Sequence, residues 1–266
     1  MKNLHFIKYH GTGNDFIMVD NREQKIVFQS PEQIEKLCDR RFGIGGDGLI
    51  LLENSESLDF KMIYYNADGR EGSMCGNGGR CTVAFASELG IIKNTCRFEA
   101  VDGIHEAVIT DKNEGTCMVS LKMNDVFKIE KNGADYILDT GSPHYVSFKE
   151  NISKMDVFKE GQAIRYNHRF KEHGINVNFI EEDRGKLNIR TYERGVEEET
   201  WSCGTGSVAA ALVMELEGKA VPNKPIEIST RGGSLFVRFQ HQGEGFSDIW
   251  LTGPAVNVFN GTIETH

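Results

Sequence analysis

Two stretches of the chain, SMCGNGGRC at residues 73–81 and WSCGTGSVA at residues 201–209, share one pattern: a cysteine, then Gly-x-Gly, then an apolar run. Cys203 follows Cys75 by 203 − 75 = 128 residues. The same offset aligns further identical residues: Gly76 with Gly204, Gly78 with Gly206, Gly90 with Gly218, Tyr64 with Tyr192, and Thr12 with Thr140. Because these matches share one offset, the sequence predicts a duplicated domain whose halves meet near residue 125.

Short runs punctuated by Gly, Asn and Asp predict β-strands in both halves. The predicted strands cover residues 17–19, 49–52, 59–65, 106–110, 136–138, 176–180, 186–192 and 234–240. One helix follows each cysteine, at residues 83–89 and 208–217. Each is apolar on nearly every side, which is typical of a buried helix. We therefore expect the α/β (α+β) class, with two similar domains, each a curved and mostly antiparallel sheet wrapped around a central helix.

A third helix is predicted at residues 31–40. Its amphipathic pattern indicates a separate helix on the surface. Ser30 precedes it and Gln33 follows three residues later, so a capping box is expected at its start.

Composition and charge limit the partners of the protein. The chain has 266 residues, 39% hydrophobic and 26% charged, as in soluble globular proteins. A net charge of −9 and a pI near 5.4 disfavour nucleic acid as a partner. The N-terminus lacks the apolar stretch of a signal peptide, and the apolar run at residues 208–214 is too short to span a bilayer. We expect a cytoplasmic protein that binds neither nucleic acid nor membrane.

The cysteines favour neither disulfides nor metal. Six are present, and without a secretory signal they are expected to be reduced. No Cys-x-x-Cys pair occurs, so no metal site is expected. Four of the six lack the Gly-rich context and are interpreted as core or surface thiols: Cys38, Cys81, Cys96 and Cys117.

The two remaining cysteines stand where a helix start can make a thiol reactive. The positive end of a helix dipole and its unpaired amides stabilise a thiolate, and the thiol pKa falls from about 8.5 toward neutrality. The adjacent glycines let an anionic ligand, such as a substrate carboxylate, approach those amides. Two such thiols on opposite sides of one carbon could invert it by two proton transfers, without an electron-sink cofactor. The pattern therefore favours a two-base isomerase.

Another class of protein fits the same features. Taken alone, Cys75 is more simply a buried thiol, and only the duplicated context favours catalysis. A non-catalytic binding module could use the Gly-rich loops to hold an anion. Replacing either cysteine by Ala would leave such a module active and would inactivate an isomerase.

Five segments together closely resemble the diaminopimelate epimerase family, in the family's order over essentially the whole chain. They are GTGNDF (11–16), RRFGIGGDG (40–48), YYNADGREGSMCGNGGRC (64–81), YERGVEEETWSCGTG (192–206) and RGGSL (231–235). The resemblance implies a pyridoxal-independent enzyme that interconverts LL- and meso-diaminopimelate for lysine and peptidoglycan precursors. It also implies a homodimer of two-domain subunits, with the domains related by pseudo-two-fold symmetry. We expect domains at residues 1–125 and 126–253, with a last strand at about 254–266 packing back on the first domain.

The resemblance also implies roles for individual residues. Cys75 matches the catalytic proton donor and Cys203 the acceptor, while His144 and Glu193 match positions beside the thiols. The amides expected to cradle the reacting carboxylate are those of Gly76, Asn77, Gly204 and Thr205. The side chains expected to hold the distal end of the substrate are Asn14, Asn66, Asn176 and Arg194.

Two of the expected substrate-binding positions depart from the family pattern. Gly48 stands where the family often has Gln, so no side chain can reach the substrate there. Ser142 stands where Asn is frequent, and its hydroxyl can still donate and accept hydrogen bonds over a shorter reach.

A same-fold racemase or epimerase acting on proline or hydroxyproline is the nearest alternative. Such relatives lack the set of residues for the distal end of the substrate. The presence of Asn66, Asn176 and Arg194 favours the larger, doubly charged diaminopimelate.

Overall fold

In a computed structural model, the chain divides into two units. Residues 2–72, 74–222, 224–243 and 245–265 are described. Unit 1 comprises the described residues of 1–121 and 253–266, and unit 2 those of 122–252. The division falls at residue 121, beside the junction expected near residue 125.

Unit 1 is a sheet that closes on itself. Its strands are β1 (Lys2–Gly11), β2 (Asn14–Asp20), β3 (Gly48–Glu53), β4 (Phe60–Asn66), β5 (Thr95–Ala100), β6 (Gly103–Asn113), β7 (Thr116–Lys122) and the second part of β16 (Gly245–Thr265). They pair in that order, and β16 pairs back with β1. The pairs β2–β3 and β4–β5 are parallel and the others antiparallel. Its helices are α1 (Pro31–Cys38) and α2 (Gly76–Glu88).

Unit 2 repeats this order of pairing. Its strands are β8 (Ile129–Asn132), β9 (Asp135–Asp139), β10 (Pro143–Phe148), β11 (Asn176–Asp183), β12 (Lys186–Glu193), β13 (Glu198–Thr200), β14 (Ile226–Thr230), β15 (Gly233–Gln242) and the first part of β16. The order is β8-β9-β10-β11-β12-β14-β15-β16, with β13 beside β12, and β10–β11 and β12–β14 are parallel. A bridge between Val126 and Phe246 links the two ends of this order. Its helices are a 3₁₀ turn (Ile152–Lys154), α3 (Val157–Arg165) and α4 (Gly204–Leu216).

Each unit is built around one buried helix. The offset of 128 residues carries α2 onto α4, since 76 + 128 = 204 and 88 + 128 = 216. α2 packs against β1 to β4 and β6, and α4 packs against β9 to β12, β14 and β15. Residues 208–214 of α4 are fully buried, because Val, Ala, Leu and Met cover every side of the helix. The predicted fold class, a curved sheet around a helix in each of two similar halves, is confirmed.

Three details of the predicted helices are wrong. α2 and α4 begin at Gly76 and Gly204, directly after the cysteines, because glycines conceal the helical pattern of the first turn. α1 ends at Cys38, two residues before the predicted Arg40. The capping box does not form: the Ser30 side chain makes no cap bond and instead hydrogen-bonds the Glu32 carboxylate, while Gln33 Oε1 accepts from the Gln29 amide at 2.7 Å.

No helix within the described ranges combines the length and apolar character needed to cross a membrane.

Candidate active site

Cys75 is the N-cap of α2 and lies against the first turn of the helix. Its Sγ accepts a hydrogen bond from the Gly78 amide at 3.2 Å. A Cβ at Gly78 would stand 3.2 Å from that sulfur, so a side chain there would press on the thiol. Asn14 Oδ1 lies 3.8 Å from Sγ on the other side. The thiol is partly exposed.

Cys203 takes the same position at the start of α4. It is the N-cap residue, with extended backbone angles, and its Sγ lies 3.5 Å from Thr205 Oγ1. A Cβ at Gly206 would stand 3.3 Å from Sγ and 2.4 Å from Asn178 Oδ1. This sulfur is more buried, with 8% of the residue exposed. In both units a glycine three residues after the cysteine leaves room for the sulfur, although only the Cys75 side chain accepts a cap hydrogen bond and the Cys203 side chain does not.

The predicted carboxylate cradle comprises the first two residues of each helix. Gly76 and Asn77 open α2, while Gly204 and Thr205 open α4. Amides at such positions point out of the helix start and favour an anion. Threonines that the sequence repeat aligns hold both first turns: Thr12 Oγ1 lies 3.5 Å from Asn77 Oδ1, and Thr140 Oγ1 donates to the Thr205 carbonyl at 2.9 Å.

The two predicted asparagines of unit 1 lie in different surroundings. Asn14 is beside Cys75, where its Oδ1 also accepts from Asn77 Nδ2 at 3.2 Å and its Nδ2 donates to Asp47 at 2.6 Å. Asn66 ends β4 and is exposed, and its Nδ2 lies 3.4 Å from the Arg70 carbonyl. Asn14 therefore contacts the thiol, and Asn66 stands at the end of a strand further along the sheet order.

In unit 2 the three residues predicted for the distal end of the substrate form one hydrogen-bonded group. Asn176 Nδ2 donates to Ser142 Oγ at 2.8 Å, and Asn176 Oδ1 accepts from the Arg194 amide at 2.9 Å. Arg194 Nη2 donates to the same Ser142 Oγ at 3.3 Å. Arg194 is exposed, so its guanidinium can meet an incoming anion.

These residues occupy equivalent positions in the two units. Subtracting 128 from 142, 176 and 194 gives 14, 48 and 66, so Ser142 corresponds to Asn14, Asn176 to Gly48 and Arg194 to Asn66. The duplicated fold therefore presents the same three positions twice, with different side chains.

Gly48 lies at the start of β3, and Tyr64 fills the space beside it. A Cβ at Gly48 would stand 2.4 Å from the Tyr65 carbonyl oxygen, 2.5 Å from the Tyr64 ring and 3.2 Å from the Tyr64 hydroxyl. Tyr64 was missed as a candidate in the sequence. Gly48 itself was the signal that could have identified Tyr64. A glycine leaves space beside its strand, and an aromatic residue on the neighbouring strand can fill that space.

His144 is fully buried and belongs to a neutral polar group. Asn178 Nδ2 donates to the Tyr145 carbonyl at 3.0 Å and lies 3.0 Å from His144 Nδ1, while Thr191 Oγ1 donates to Asn178 Oδ1 at 3.0 Å. His144 Nδ1 is therefore an acceptor, and the ring proton of the neutral form lies on Nε2. Nε2 has no hydrogen-bond partner within the described part of the chain. Burial, and then the charge of Arg194, lower the pKa of His144 to about 3, so the imidazole is neutral at physiological pH.

Glu193 and the other cysteines complete the set of candidates. Glu193 ends β12, and its Oε2 accepts from Thr200 Oγ1 at 2.8 Å. Burial raises the pKa of Cys38 and Cys96 to about 12 and also raises those of Cys81 and Cys117. All four stay protonated at neutral pH. The described ranges contain no cluster of three or more His, Cys, Asp or Glu residues that could hold a metal ion.

The family model for diaminopimelate epimerase matches this chain twice, over residues 6–128 and 136–258. The diaminopimelate epimerase of Flavobacterium psychrophilum is 51% identical over 96% of this chain and 98% of its own length. The diaminopimelate epimerase of Aquifex aeolicus is 37% identical over 98% of both chains.

This chain belongs to the diaminopimelate epimerase family. The family predicted from the sequence is thereby confirmed, and with it the enzyme class, an epimerase.

Solved structures with lower identity share the fold. A Bacillus anthracis phenazine biosynthesis protein of the PhzF family matches with a TM-score of 0.76 at 17% identity, over 99% of this chain and 100% of its own. A hydroxyproline epimerase from Agrobacterium vitis matches with a TM-score of 0.72 at 14% identity, over 98% of this chain and 92% of its own. The diaminopimelate epimerase family thus has a fold in common with other families.

Burial of His144 predicts an acid sensitivity. In the unfolded chain, His144 binds a proton below its ordinary pKa of 6.5. In the folded chain it stays neutral down to about pH 3. The free energy of unfolding therefore falls as the pH falls from about 6.5 to about 3. His144→Gln keeps an acceptor for Asn178 and should remove about 1.4 kcal/mol of this loss per pH unit. Urea unfolding of wild type and variant across this window measures the difference. His168→Gln, at an exposed position, is the control, and equal slopes for all three proteins would contradict the prediction.

Gly48→Ala should destabilise the protein by about 1–3 kcal/mol, because the new methyl group meets the Tyr65 carbonyl and the Tyr64 ring. Removing the ring should relieve part of this clash. Urea unfolding of Gly48→Ala, Tyr64→Ala and the double variant measures the free energy of unfolding of each protein. We expect the losses to be non-additive, with Tyr64→Ala lowering the free energy of unfolding by less in the Gly48→Ala background than in wild type. Additive losses would show that the ring does not limit position 48.

Proposed function

We propose that this protein interconverts LL- and meso-diaminopimelate by moving the proton at one α-carbon between Cys75 and Cys203, which act on opposite faces of that carbon. The family supports the substrate. One observation carries the mechanism: in both repeats a cysteine occupies the N-cap position of the buried helix, with a glycine against its sulfur. A cysteine that only fills the core would not require a helix start beside it, so the repetition of this arrangement in both units favours a shared chemical role.

The reaction needs two thiols in opposite protonation states. A thiolate takes the α-proton and becomes a thiol, leaving a carbanion stabilised by the adjacent carboxylate. The other thiol then gives its proton to the opposite face and becomes the thiolate. Helix-start amides of Gly76, Asn77, Gly204 and Thr205 would hold the carboxylate and stabilise its growing charge, so the proposed step uses no cofactor.

The second carboxylate of the substrate would meet Arg194 and Ser142. The planar guanidinium of Arg194 can hold both oxygens of a carboxylate. Ser142 Oγ already accepts from Asn176 and from Arg194, so both of its lone pairs are in use and its hydroxyl hydrogen can donate to the ligand. A serine can therefore perform this role at a position where the family often has asparagine.

Tyr64 and Asn66 would complete the distal subsite from unit 1. Both lie on β4, two residues apart, and so share one face of the strand. The Tyr64 hydroxyl stands beside Gly48, the position that corresponds to the predicted ligand Asn176. We propose that this hydroxyl supplies the polar contact that Gly48 cannot.

His144 and Glu193 would orient the reacting groups. His144 is neutral, with its proton on Nε2, so it would serve as a hydrogen-bond donor and not as an imidazolium acid. Glu193, anchored by Thr200, would act beside the thiol of its own unit. The proposal further includes a cytoplasmic homodimer serving lysine and peptidoglycan precursor synthesis.

Substrate identity is tested by isotope exchange. Incubation with LL-diaminopimelate in deuterated water should place deuterium on the α-carbon and produce the meso isomer, while proline and hydroxyproline should stay unlabelled. Absence of label in diaminopimelate rules out the proposed substrate. Label in proline or hydroxyproline alone would support the alternative racemase, whose fold has a counterpart in the Agrobacterium vitis enzyme.

Cys75→Ala and Cys203→Ala should each lower the rate of isomer interconversion by at least about 10²–10⁴-fold, because each change removes one of two proton-transfer groups. Cys117→Ala is the matched control, since this cysteine is buried away from a helix start, and its rate should be unchanged. The rate is measured by circular dichroism of the substrate isomers. Full activity of either helix-start variant would favour a binding module.

Ser142→Ala should raise KM for diaminopimelate about 10-fold with little change in kcat, because it removes one hydrogen bond to a charged group. Ser142→Asn, the residue frequent in the family, should retain a KM near that of wild type. Ser153→Ala removes an exposed hydroxyl in the 3₁₀ turn and serves as the control. An unchanged KM in Ser142→Ala would contradict the distal-carboxylate role.

A further inference from the structure

Arg80 is a completely buried cation beneath the start of α2. Its guanidinium is 0% exposed, and it folds back onto the first turn of its own helix. Nη1 donates to the Gly76 carbonyl at 3.1 Å, and Nη2 donates to Asn77 Oδ1 at 2.8 Å and to Thr12 Oγ1 at 3.4 Å. Nε has no hydrogen-bond partner within the described ranges. The acceptors that the described residues offer to Arg80 are therefore all neutral oxygens.

No carboxylate of the described residues forms an ion pair with this guanidinium. None of the ion pairs between described residues includes Arg80. The acidic groups whose charge acts on it are two thiols, Cys75 and Cys81. Burial lowers the pKa of Arg80 to about 10, so the guanidinium stays charged at neutral pH. A buried charge without a counter-ion is strongly unfavourable, so a thiolate at the start of the same helix would be stabilised by it.

Only one of the two thiols is suited to become that counter-ion. Cys81 is fully buried inside α2, and burial raises its pKa far above neutrality. Cys75 is partly exposed, caps the helix and accepts the Gly78 amide at 3.2 Å, a contact that strengthens when the sulfur is charged. Asn14 Oδ1 favours the protonated thiol, but at 3.8 Å it is a long, weak acceptor. The cation and the amide both favour the thiolate.

The equivalent position in unit 2 carries no charge. Residue 80 + 128 = 208 is Val208, which is fully buried in α4. Among the described residues of unit 2, no lysine or arginine is buried, and the polar group of His144, Asn178 and Thr191 is neutral. Arg194, whose charge acts on His144, is exposed and is assigned to the proposed distal carboxylate. The two helix starts thus differ by one buried positive charge.

We propose that Arg80 is a positioning residue that holds Cys75 as a thiolate in the ligand-free protein, so that Cys75 is the resting base and Cys203 the resting acid. This assignment reverses the roles that the family resemblance implies, in which Cys75 is the proton donor and Cys203 the acceptor. The Cys75 proton passes to solvent in this resting state. The inference rests on the proposed two-thiol function. In the first step of turnover, the Cys75 thiolate would remove the α-proton of the isomer whose α-hydrogen faces that sulfur. The reverse reaction would then start with Cys75 as the thiol and Cys203 as the thiolate.

Other ionisable groups on neighbouring elements do not replace Arg80. Asp15 of β2 pairs with Lys8 and Arg40, and Asp47 bonds Asn14 and Arg40, so two carboxylates balance two cations. Three further ionisable groups lie on neighbouring elements: His10, Asp102 and Tyr64. His10 Nδ1 lies 3.4 Å from the Gly13 amide, and Tyr64 packs on Phe16. Asp102 accepts from the Met74 amide and lies 3.1 Å from His105. Burial lowers the pKa of His10, so it adds no charge at neutral pH. Because Lys8 and Arg40 lie in ion pairs and His10 is uncharged, Arg80 is the cation of this set with no ion pair among the described residues.

The test is the pH dependence of thiol alkylation, resolved for each cysteine by peptide mass spectrometry after brief treatment of the intact protein with iodoacetamide. In wild type the Cys75 rate should rise with a midpoint well below the ordinary thiol value of about 8.5, and below that of Cys203. Arg80→Met should raise the Cys75 midpoint by about one to three pH units, the effect of removing a close opposite charge. Arg80→Lys, which keeps the charge, should hold the midpoint near that of wild type.

A folded Arg80→Met protein whose Cys75 midpoint equals that of wild type overturns the proposal. Folding is checked by far-ultraviolet circular dichroism and by an unchanged Cys203 profile in the same sample. Should Arg80→Met fail to fold, the wild-type profile still decides, because a Cys75 midpoint at or above the Cys203 midpoint is equally fatal. A raised Cys75 midpoint in Arg80→Lys as well as in Arg80→Met would mean that the packing of the arginine, and not its charge, determines the Cys75 midpoint. That result would also overturn the proposal.

Alkylation needs no turnover, so it separates this inference from the proposed function. A low Cys75 midpoint that depends on Arg80, without deuterium exchange into diaminopimelate, would uphold the electrostatic role and remove the enzyme proposal. Exchange into diaminopimelate with an ordinary Cys75 midpoint would uphold the enzyme and remove the role of Arg80.

Discussion

The contact between a cysteine sulfur and the glycine three residues further along the helix is the constraint on which both helix starts depend. A Cβ would stand 3.2 Å from the sulfur at Gly78 and 3.3 Å from it at Gly206, so a larger residue at either position would press on the thiol. With glycine there, the helix can begin directly after the cysteine, and its first amides are then available to a ligand. The sheet around each helix fixes the direction in which those amides point.

Duplication supplies two copies of this start, and the surroundings make the copies unequal. Unit 1 places a buried guanidinium and the Asn77–Asn14 amides around Cys75. Unit 2 places the neutral side chain of Asn178 beside Gly206 and carries an exposed guanidinium at Arg194. Because an enzyme with two identical thiols would have no preferred resting protonation state, this inequality has chemical meaning for a two-base reaction.

Much of the site could be predicted from the sequence because it lies in local patterns. The repeat, the helix after each cysteine and the family followed from spacing and motifs, and the group of Ser142, Asn176 and Arg194 forms in unit 2. Patterns failed where glycine hides a helical period, as at the first turn of α2, and where a hydroxyl has a rival partner, as Ser30 has in Glu32. Tyr64 was missed because only strand pairing brings it beside Gly48.

The sequence by itself determined that there are two helix-start cysteines, each with glycines where a ligand must approach, since these are properties of adjacent residues. Only the tertiary structure decided which polar groups are buried. The sequence indicates neither the buried charge of Arg80 nor the neutral state of His144, because strands from distant parts of the chain remove water from both. Charge and basicity depend on solvent exposure, and solvent exposure is a property of the folded chain.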